Sequence, residues 1–287
     1  MFCSLFGFTK QAYYKSNTRT LQRQIELQRV KEAVLGIRRQ MPRIGTRKLH
    51  FMLQRSGIEI GRDKLFTLLR QEGLLVNKRK KYTVTTNSRH WMRKYPDLIE
   101  HLVVHRPEQL WVADITYLDT LEANCYLHLI TDAYSKQIMG YQLCNDMEAR
   151  STLKALKMAI GRRQYPQQPL IHHSDRGLQY CSKLYVEHLL KNNIKVSMTQ
   201  NGDPYENAVA ERVNGILKDE FGLGDKLNDL KDAIQQTEQS VHTYNTLRPH
   251  LSCGYLTPVQ MHRQQKIKLK TWEKKTPKSG STLEVSY

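Results

Sequence analysis

The 287-residue sequence lacks any run of 18 or more apolar residues, which excludes an ordinary transmembrane helix. Its first residues, MFCSLFGFTKQAYYK, lack the sustained apolar stretch and the small-residue cleavage site of a secretory signal. These two absences predict a cytoplasmic protein with no membrane partner. Apolar residues still make up 39% of the chain, which is enough to build a hydrophobic core.

Cysteine is scarce and unpaired in the sequence. The five cysteines are widely spaced and none forms a Cys-x-x-Cys pair, which argues against a disulfide framework and against a zinc knuckle. His101 and His105 have the spacing of zinc ligands, but no Cys-x-x-Cys follows them. The nearest cysteines, Cys125 and Cys144, fall within predicted strands, so a structural zinc site is not expected.

Positive charge is abundant and unevenly distributed. The net charge is +18, and residues 1–105 carry 22 Lys and Arg against 7 Asp and Glu. Residues 106–260 carry 16 against 18, and residues 261–287 carry 7 against 2. A near-neutral centre between basic flanks predicts that the flanks bind a polyanion by displacing its counterions. A basic composition that serves only solubility is the alternative.

The basic N-terminal part is predicted to be helical throughout. Residues 1–43 form a segment with apolar residues at three-to-four spacing on a basic background. Residues 44–76 contain two short helical patterns, divided at Ser56-Gly57 and ended at Gly73, which is typical of a helix-turn-helix. An ordinary helical hairpin has the same pattern. The second helix presents three basic residues suited to DNA phosphates or the major groove: Arg62, Lys64 and Arg70.

A basic linker at residues 77–104 separates these helices from an α/β region at residues 105–262. Four consecutive cations of the linker are predicted to lie along a DNA backbone, a solvated linker being the alternative: Lys78, Arg79, Lys80 and Lys81. The α/β region opens with three strand-like runs and continues with alternating helices and strands. A sheet flanked by helices is therefore predicted. Residues 263–287 are predicted to be a disordered basic tail.

Three carboxylates stand at unusual places in the α/β region. Asp114 lies inside the first strand, where an unpaired carboxylate is expensive to bury. Asp175 follows the strand PLIHHSD, at the end of a strand where ligands of α/β sheets usually bind. Glu211 shares one side of a predicted helix with an amide and a cation, Asn214 and Lys218. Each acid alone is more often structural than catalytic. His172 and His173 near Asp175 are interpreted as structural.

The spacing of the acids favours a catalytic role over a structural one. Residues 176–210 separate Asp175 from Glu211, and this interval of 35 residues resembles that of DDE transposases and retroviral integrases. The motifs WVADITY, HSDRGLQY, NGDPYENAVAERVNGILKDE and YNTLRPHLSCGYLTP resemble the downstream-reading-frame product of bacterial insertion-sequence family three. The resemblance covers residues 1 to 260 and implies an RNase H-like mixed sheet. Cys253 and Arg212 depart from the family pattern without removing a carboxylate.

The resemblance also implies a mechanism and partners. Asp114 would be shared by two Mg²⁺ ions, with Mn²⁺ as a substitute, while Asp175 and Glu211 would each complete one metal site. Lys218 would hold a phosphate or flanking DNA. Expected partners are double-stranded DNA with terminal inverted repeats, a second copy of the chain, and an upstream-frame product fused to it in the active protein. The setting would be the nucleoid of a bacterial cell.

Two other readings stay open at this point. A helix-turn-helix regulator with a ligand-binding centre explains the basic N-terminal part but not three acids at this spacing. A hydrolytic nuclease of the same fold would cut DNA without joining it, and only the family motifs separate it from a transposase.

Overall fold

The computed structural model describes residue 7 and residues 9–77, 92–200 and 207–265. The four consecutive cations predicted to contact DNA at 78–81 lie outside the described residues, as does the predicted tail from residue 266 onward.

Three helices form the N-terminal part: α1 (Lys10–Gln40), α2 (Thr46–Arg55) and α3 (Arg62–Gln71). The chain leaves α2 through Gly57 and leaves α3 through Gly73, at φ values of 74° and 66°. Glycine suits both positions because a side chain disfavours the left-handed region. The two helices and the turn between them are as predicted, and DNA binding by them stays a prediction.

The amphipathic prediction for α1 holds only for its C-terminal half. Val30 and Val34 are buried against the cluster that contains α2 and α3. Leu21 and Ile25, predicted on the same apolar stripe, are 59% and 62% exposed. The reason is length, because α1 has 31 residues whereas α2 and α3 have 10 each and pack only beside its end.

A five-stranded mixed sheet forms the centre of the α/β region, in the order β3-β2-β1-β4-β5. Strands β1 to β3 form the predicted antiparallel meander, and β4 and β5 add parallel to β1. The strands are β1 (Leu110–Asp119), β2 (Asn124–Asp132), β3 (Ile138–Cys144), β4 (Leu170–Ser174) and β5 (Ile194–Met198). The mixed sheet flanked by helices is therefore confirmed.

Helices cover both faces of the sheet. The first face carries α4 (Ala149–Gly161), α5 (Leu178–Cys181) and α6 (Lys183–Lys191) in one apolar cluster with Trp111 and Ala113. The second face carries α7 (Ala208–Glu220) and α8 (Leu230–Thr246) in a cluster with Leu118. Successive residues of β1 thus alternate between the two faces, which places even-numbered Asp114 on the side of α7. A 3₁₀ turn (Leu251–Cys253) and α9 (Pro258–His262) follow.

The N-terminal helices pack against the second face. Buried residues of α1, α2 and α3 belong to the same apolar cluster as α7 and α8. Lys48 of α2 forms an ion pair with Glu220 at the end of α7, with 2.6 Å between Nζ and Oε1. The ring of Phe51 stacks on that of Tyr255, with 4.6 Å between the ring centres. The helix-turn-helix and the sheet are therefore joined by both apolar and charged contacts. No helix within the described ranges is long and apolar enough to cross a membrane.

Candidate active site

The register of two parallel strands brings the first two acids together. Val112 of β1 lies opposite His173 of β4. Two residues further along each chain are Asp114, still inside β1, and Asp175, immediately after β4. Because the strands run in the same direction, both carboxylates lie at the same end of the β1–β4 pair.

Asp114 is held from both sides. Its Oδ1 accepts a 2.9 Å hydrogen bond from the backbone N–H of Ile115, and its Oδ2 accepts one of 2.7 Å from the Asn214 amide. Burial and the neighbouring Asp175 carboxylate raise the pKa of Asp114 to about 7, and Glu211 also raises it. The two hydrogen bonds oppose this rise. The two donors therefore offset only part of the cost of ionising Asp114.

Asp175 is placed by the tight turn between β4 and α5. Its Oδ1 accepts a 3.0 Å hydrogen bond from the backbone N–H of Gly177. Gly177 has a φ of −63°, a conformation open to any residue, so backbone freedom is not the reason for glycine here. A Cβ at this position would lie 3.0 Å from the Asp175 carboxylate and 2.9 Å from Gln179, so glycine leaves room beside the acid.

Helix α7 turns one polar side toward β1. Asn207, just before the helix, donates a 3.0 Å hydrogen bond to the carbonyl of Ala113, and Asn214 contacts Asp114 as described above. Glu211 lies between these two asparagines in the first turn of α7 and is exposed. The sequence placed Asn214 on this side of the helix without assigning it a role. Its spacing of three residues from Glu211 was the available signal.

Glu211 acts on the charge of Asp114 more weakly than Asp175 does, since its effect on the pKa of Asp114 ranks below that of Asp175. Among the residues that the structure describes, no three His, Cys, Asp or Glu side chains are grouped closely enough to hold a metal ion. The structure therefore brings Asp114 and Asp175 together, and leaves Glu211 on the facing helix with its side chain directed into solvent.

The oxygen atoms around the acids fit a hard divalent cation. The hydroxyl of Tyr180 and Oδ1 of Asn214 are buried and make no hydrogen bond to a described residue. Burial, followed by the carboxylate of Asp175, raises the pKa of Tyr180 well above its ordinary value. Carboxylate and other oxygen ligands are those that Mg²⁺ and Mn²⁺ prefer. A cation or its bound water would satisfy these oxygens and offset the carboxylate charge.

Lys218 follows Glu211 by two helical turns and faces the same strand. Its Nζ lies 4.2 Å from the centre of the Tyr117 ring. Burial lowers the pKa of Lys218, although Asp119 and Asp114 act in the opposite direction. The ammonium group thus lies on the β1 side of α7.

The two histidines before Asp175 are buried, and each lies within hydrogen-bond distance of a hydroxyl group. Nε2 of His172 lies 2.9 Å from the Tyr185 hydroxyl, and Nδ1 of His173 lies 2.8 Å from the Ser197 hydroxyl. Burial lowers their pKa values to about 3 and about 4. Both rings therefore brace β4 against its neighbours.

The basic residues of α3 are exposed, and DNA contact by them stays a prediction. Arg62 is paired with its neighbour Asp63 at 2.9 Å, and the guanidinium of Arg70 lies 5.0 Å from the centre of the Phe66 ring. Lys64 is likewise exposed, in the first turn of α3.

Comparison with known proteins identifies the family to which the chain belongs. Residues 104–204 match a family model described as integrase core domain, and residues 192–258 match a second model with that description. The chain is 34% identical to the "Insertion element IS600 uncharacterized 31 kDa protein" of Shigella sonnei, over 89% of the chain and 95% of that protein. It is 36% identical to the "Transposase for insertion sequence element IS629" of Shigella sonnei, over 76% and 73%. The catalytic core of HTLV-2 integrase is a structural neighbour, with 23% identity, a TM-score of 0.44, and coverage of 55% and 98%.

These matches define the class as DDE polynucleotidyl transferases with an integrase core domain. The chain belongs to the IS3 family of insertion-sequence transposases. Proteins of this class act on DNA in recombination, and an integrase-type core implies the use of a divalent metal ion.

Proposed function

We propose that Asp114, Asp175 and Glu211 are the catalytic acids with which this transposase cleaves DNA at the ends of an insertion sequence and joins the exposed 3′-hydroxyl to another phosphodiester. The observation that carries the proposal is the parallel register of β1 and β4, which sets Asp114 beside Asp175. Helix α7, which supplies Glu211, is hydrogen-bonded to the same strand.

The metal assignment follows from the donor set. Asp114 would contact two Mg²⁺ ions, while Asp175 and Glu211 would each complete one site, and Mn²⁺ would substitute. Such ions stabilise the negative charge that develops on the attacking and leaving oxygens of a phosphodiester. Two side chains of α7 have supporting roles: Asn214 orients the Asp114 carboxylate, and Lys218 holds a phosphate as a point charge.

DNA recognition is assigned to the N-terminal half. Arg62, Lys64 and Arg70 on α3 would contact the terminal inverted repeats, with the four cations at 78–81 along the adjoining backbone. Joining two DNA ends calls for at least two copies of the chain. We also place the activity in the bacterial cytoplasm at the nucleoid, and expect full activity when the upstream-frame product is fused to the chain.

The test uses the natural DNA that flanks the coding region, as labelled duplexes carrying the terminal repeats. Asp114→Asn, Asp175→Asn and Glu211→Gln should each lower cleavage in Mg²⁺ by about 10³ or more, because each removes charge that holds the metal. DNA affinity should change by less than about threefold, since basic flanks supply most of it. Glu187→Gln is the matched control, because Glu187 is exposed on α6 and its carboxylate pairs with Lys183 of the same helix.

Three outcomes discriminate among the functions. Cleavage followed by end joining supports a transposase, and joining should increase in the fusion with the upstream-frame product. Cleavage without joining by either form would instead indicate a hydrolytic nuclease. DNA that stays intact while the protein binds it would indicate a regulator.

A further inference from the structure

A cavity of about 690 Å³ lies on the side of α7 that faces away from Asp114. Its α7 wall includes Val209, Arg212 and Ile216, which helical spacing places opposite Glu211 and Asn214. Lys48 of α2 also lines the cavity, and the exposed Leu251 of the loop after α8 forms part of its rim. The cavity therefore lies where the helix-turn-helix meets the helix that carries Glu211.

Positive charge in the cavity exceeds negative charge. Glu220 accepts hydrogen bonds from Lys48 at 2.6 Å and from Arg248 at 2.8 Å, so a single carboxylate is paired with two cations. Two further cations line the cavity, Arg212 and Lys136. Among the described residues neither of them is paired with a carboxylate, and the ammonium of Lys136 donates to the backbone carbonyl of Ala133.

Burial and the excess of positive charge lower the pKa values of two groups that line the cavity, His250 and Lys48. Burial, followed by the charges of four lining cations, holds the pKa of His250 well below its ordinary value. His250 therefore acts as a neutral acceptor for Arg248, at 2.8 Å. Burial and the nearby Arg248 lower the pKa of Lys48 to about 8, even though Glu220 opposes the shift. An anion bound in the cavity would relieve this repulsion.

The remaining walls are apolar and leave room for more than a simple anion. Val209, Ile216 and Leu251 line the cavity beside its charged groups, and Leu251 is exposed at the rim. Cavities of roughly 300 to 1,000 Å³ hold small organic ligands, so the volume suits a nucleotide. An anionic group joined to a flat apolar ring matches both kinds of wall.

We propose that this cavity binds one nucleotide, either free or unstacked from a DNA strand, with its phosphate at Arg212 and Lys48 and its base against Ile216 and Leu251. The proposal rests on the action of this family on DNA, and not on the assignment of the three acids. It also assigns a role to the motif RPHLSC, whose Arg248, His250 and Leu251 line the cavity. That motif has no part in the proposed cleavage chemistry.

Binding is measured without divalent metal, so that its failure is distinguishable from a failure of cleavage. Leu251→Trp places a fluorescent reporter at the rim, and its response is compared with that of the unsubstituted protein. The ligands are dAMP, inorganic phosphate and a gapped duplex with one unpaired nucleotide. We expect dAMP to quench the reporter at a concentration at least tenfold below that of phosphate. A response to the gapped duplex alone would assign the nucleotide to a strand.

Two substitutions combined with the reporter test the charge requirement. Arg212→Gln removes an exposed cation, and Ser252→Glu adds a carboxylate at the partly exposed rim. Each should weaken nucleotide binding about tenfold, since a hydrogen bond to a charged group contributes on that order. Arg150→Gln, at an exposed position of α4, is the matched control and should have no effect on binding. Equal responses to phosphate and dAMP, or binding unchanged by Arg212→Gln and Ser252→Glu, would overturn the proposal.

Discussion

Asn214 of α7 donates a 2.7 Å hydrogen bond to Oδ2 of Asp114 on β1. This contact joins the helix that carries Glu211 to the strand that carries the first acid. Because an amide donor favours the ionised form of a carboxylate, the same bond opposes the rise in the pKa of Asp114. Asn214 is therefore a positioning residue that also acts on the charge of the site.

Replacing Asn214 by Ala should lower DNA cleavage at pH 7 by about tenfold, the order of magnitude of a hydrogen bond to a charged group. The pKa of Asp114 should rise further without the donor, so the rise of activity with pH should move to higher pH. Cleavage rates between pH 6 and pH 9 at saturating Mg²⁺ measure both effects. Asn145→Ala, at an exposed loop position, is the control. A uniform loss at every pH would leave Asn214 with a structural role only.

The raised pKa of Asp114 predicts how stability depends on pH in the absence of metal. Its pKa is about 7 in the folded protein and about 3.9 in an unfolded chain, so the folded state binds the proton more tightly. Stability should therefore be highest below about pH 4 for this group and should fall as the pH rises toward 7. Asp114→Asn should remove this dependence and raise the melting temperature at pH 8.

Added Mg²⁺ should reverse the same destabilisation. A ligand that binds only the folded state at 100 times its Kd stabilises it by about 2.7 kcal/mol. Thermal unfolding at pH 8 should thus shift upward with Mg²⁺ in the unsubstituted protein and much less in Asp114→Asn. Equal shifts in the two proteins would mean that the metal binds elsewhere.

The basic side chains of α3 should govern the salt dependence of DNA affinity. Neutralising Arg62, Lys64 or Arg70 as the Gln variant should each lower the slope of log K against log salt by about 0.9 if that side chain contacts one phosphate. Lys191→Gln, at an exposed position at the end of α6, should leave the slope unchanged. Titrations of a terminal-repeat duplex between 50 and 200 mM salt give the slopes. A variant with an unaltered slope has lost no phosphate contact.

His262 of α9 is fully buried between two acids, Glu108 and Asp132. Burial alone would lower the pKa of His262, but hydrogen bonds to Asp132 and Glu108 outweigh burial and raise it to about 9. A base with a raised folded pKa contributes stability that is complete below its unfolded pKa of about 6.5. This contribution is lost as the pH rises through about 9.

His262→Gln should consequently destabilise the protein at pH 6 by about 3–5 kcal/mol, because it leaves buried carboxylates without this cation. The difference from the unsubstituted protein should shrink by pH 10. Urea unfolding at the two pH values measures it, and His242→Gln, on the exposed side of α8, is the control. A difference that stays constant with pH would show that His262 is neutral in the fold.

Local patterns were enough to predict much of the architecture. Runs rich in Val, Ile, Tyr and Leu predicted the strands around Asp114, and Gly57 and Gly73 marked where α2 and α3 end. These features depend on residues close together in the chain, because strand alternation and helix ends are set by local backbone geometry. The interval of 35 residues before Glu211 and the accompanying motifs likewise indicated the family from the sequence alone.

Contacts between distant segments were decided only by the tertiary structure. The hydrogen bond from Asn214 to Asp114 joins residues 100 positions apart, and the ion pair of Lys48 with Glu220 spans 172 positions. The exposure of Leu21 arises because, within the described ranges, the apolar cluster reaches only the C-terminal half of α1. Periodicity shows which side of an element is apolar or polar, whereas the partner of that side depends on how whole elements pack. The sequence was thus sufficient to identify the three acids as candidate site residues. The neighbours that shift the pKa of Asp114 could be identified only from the tertiary structure.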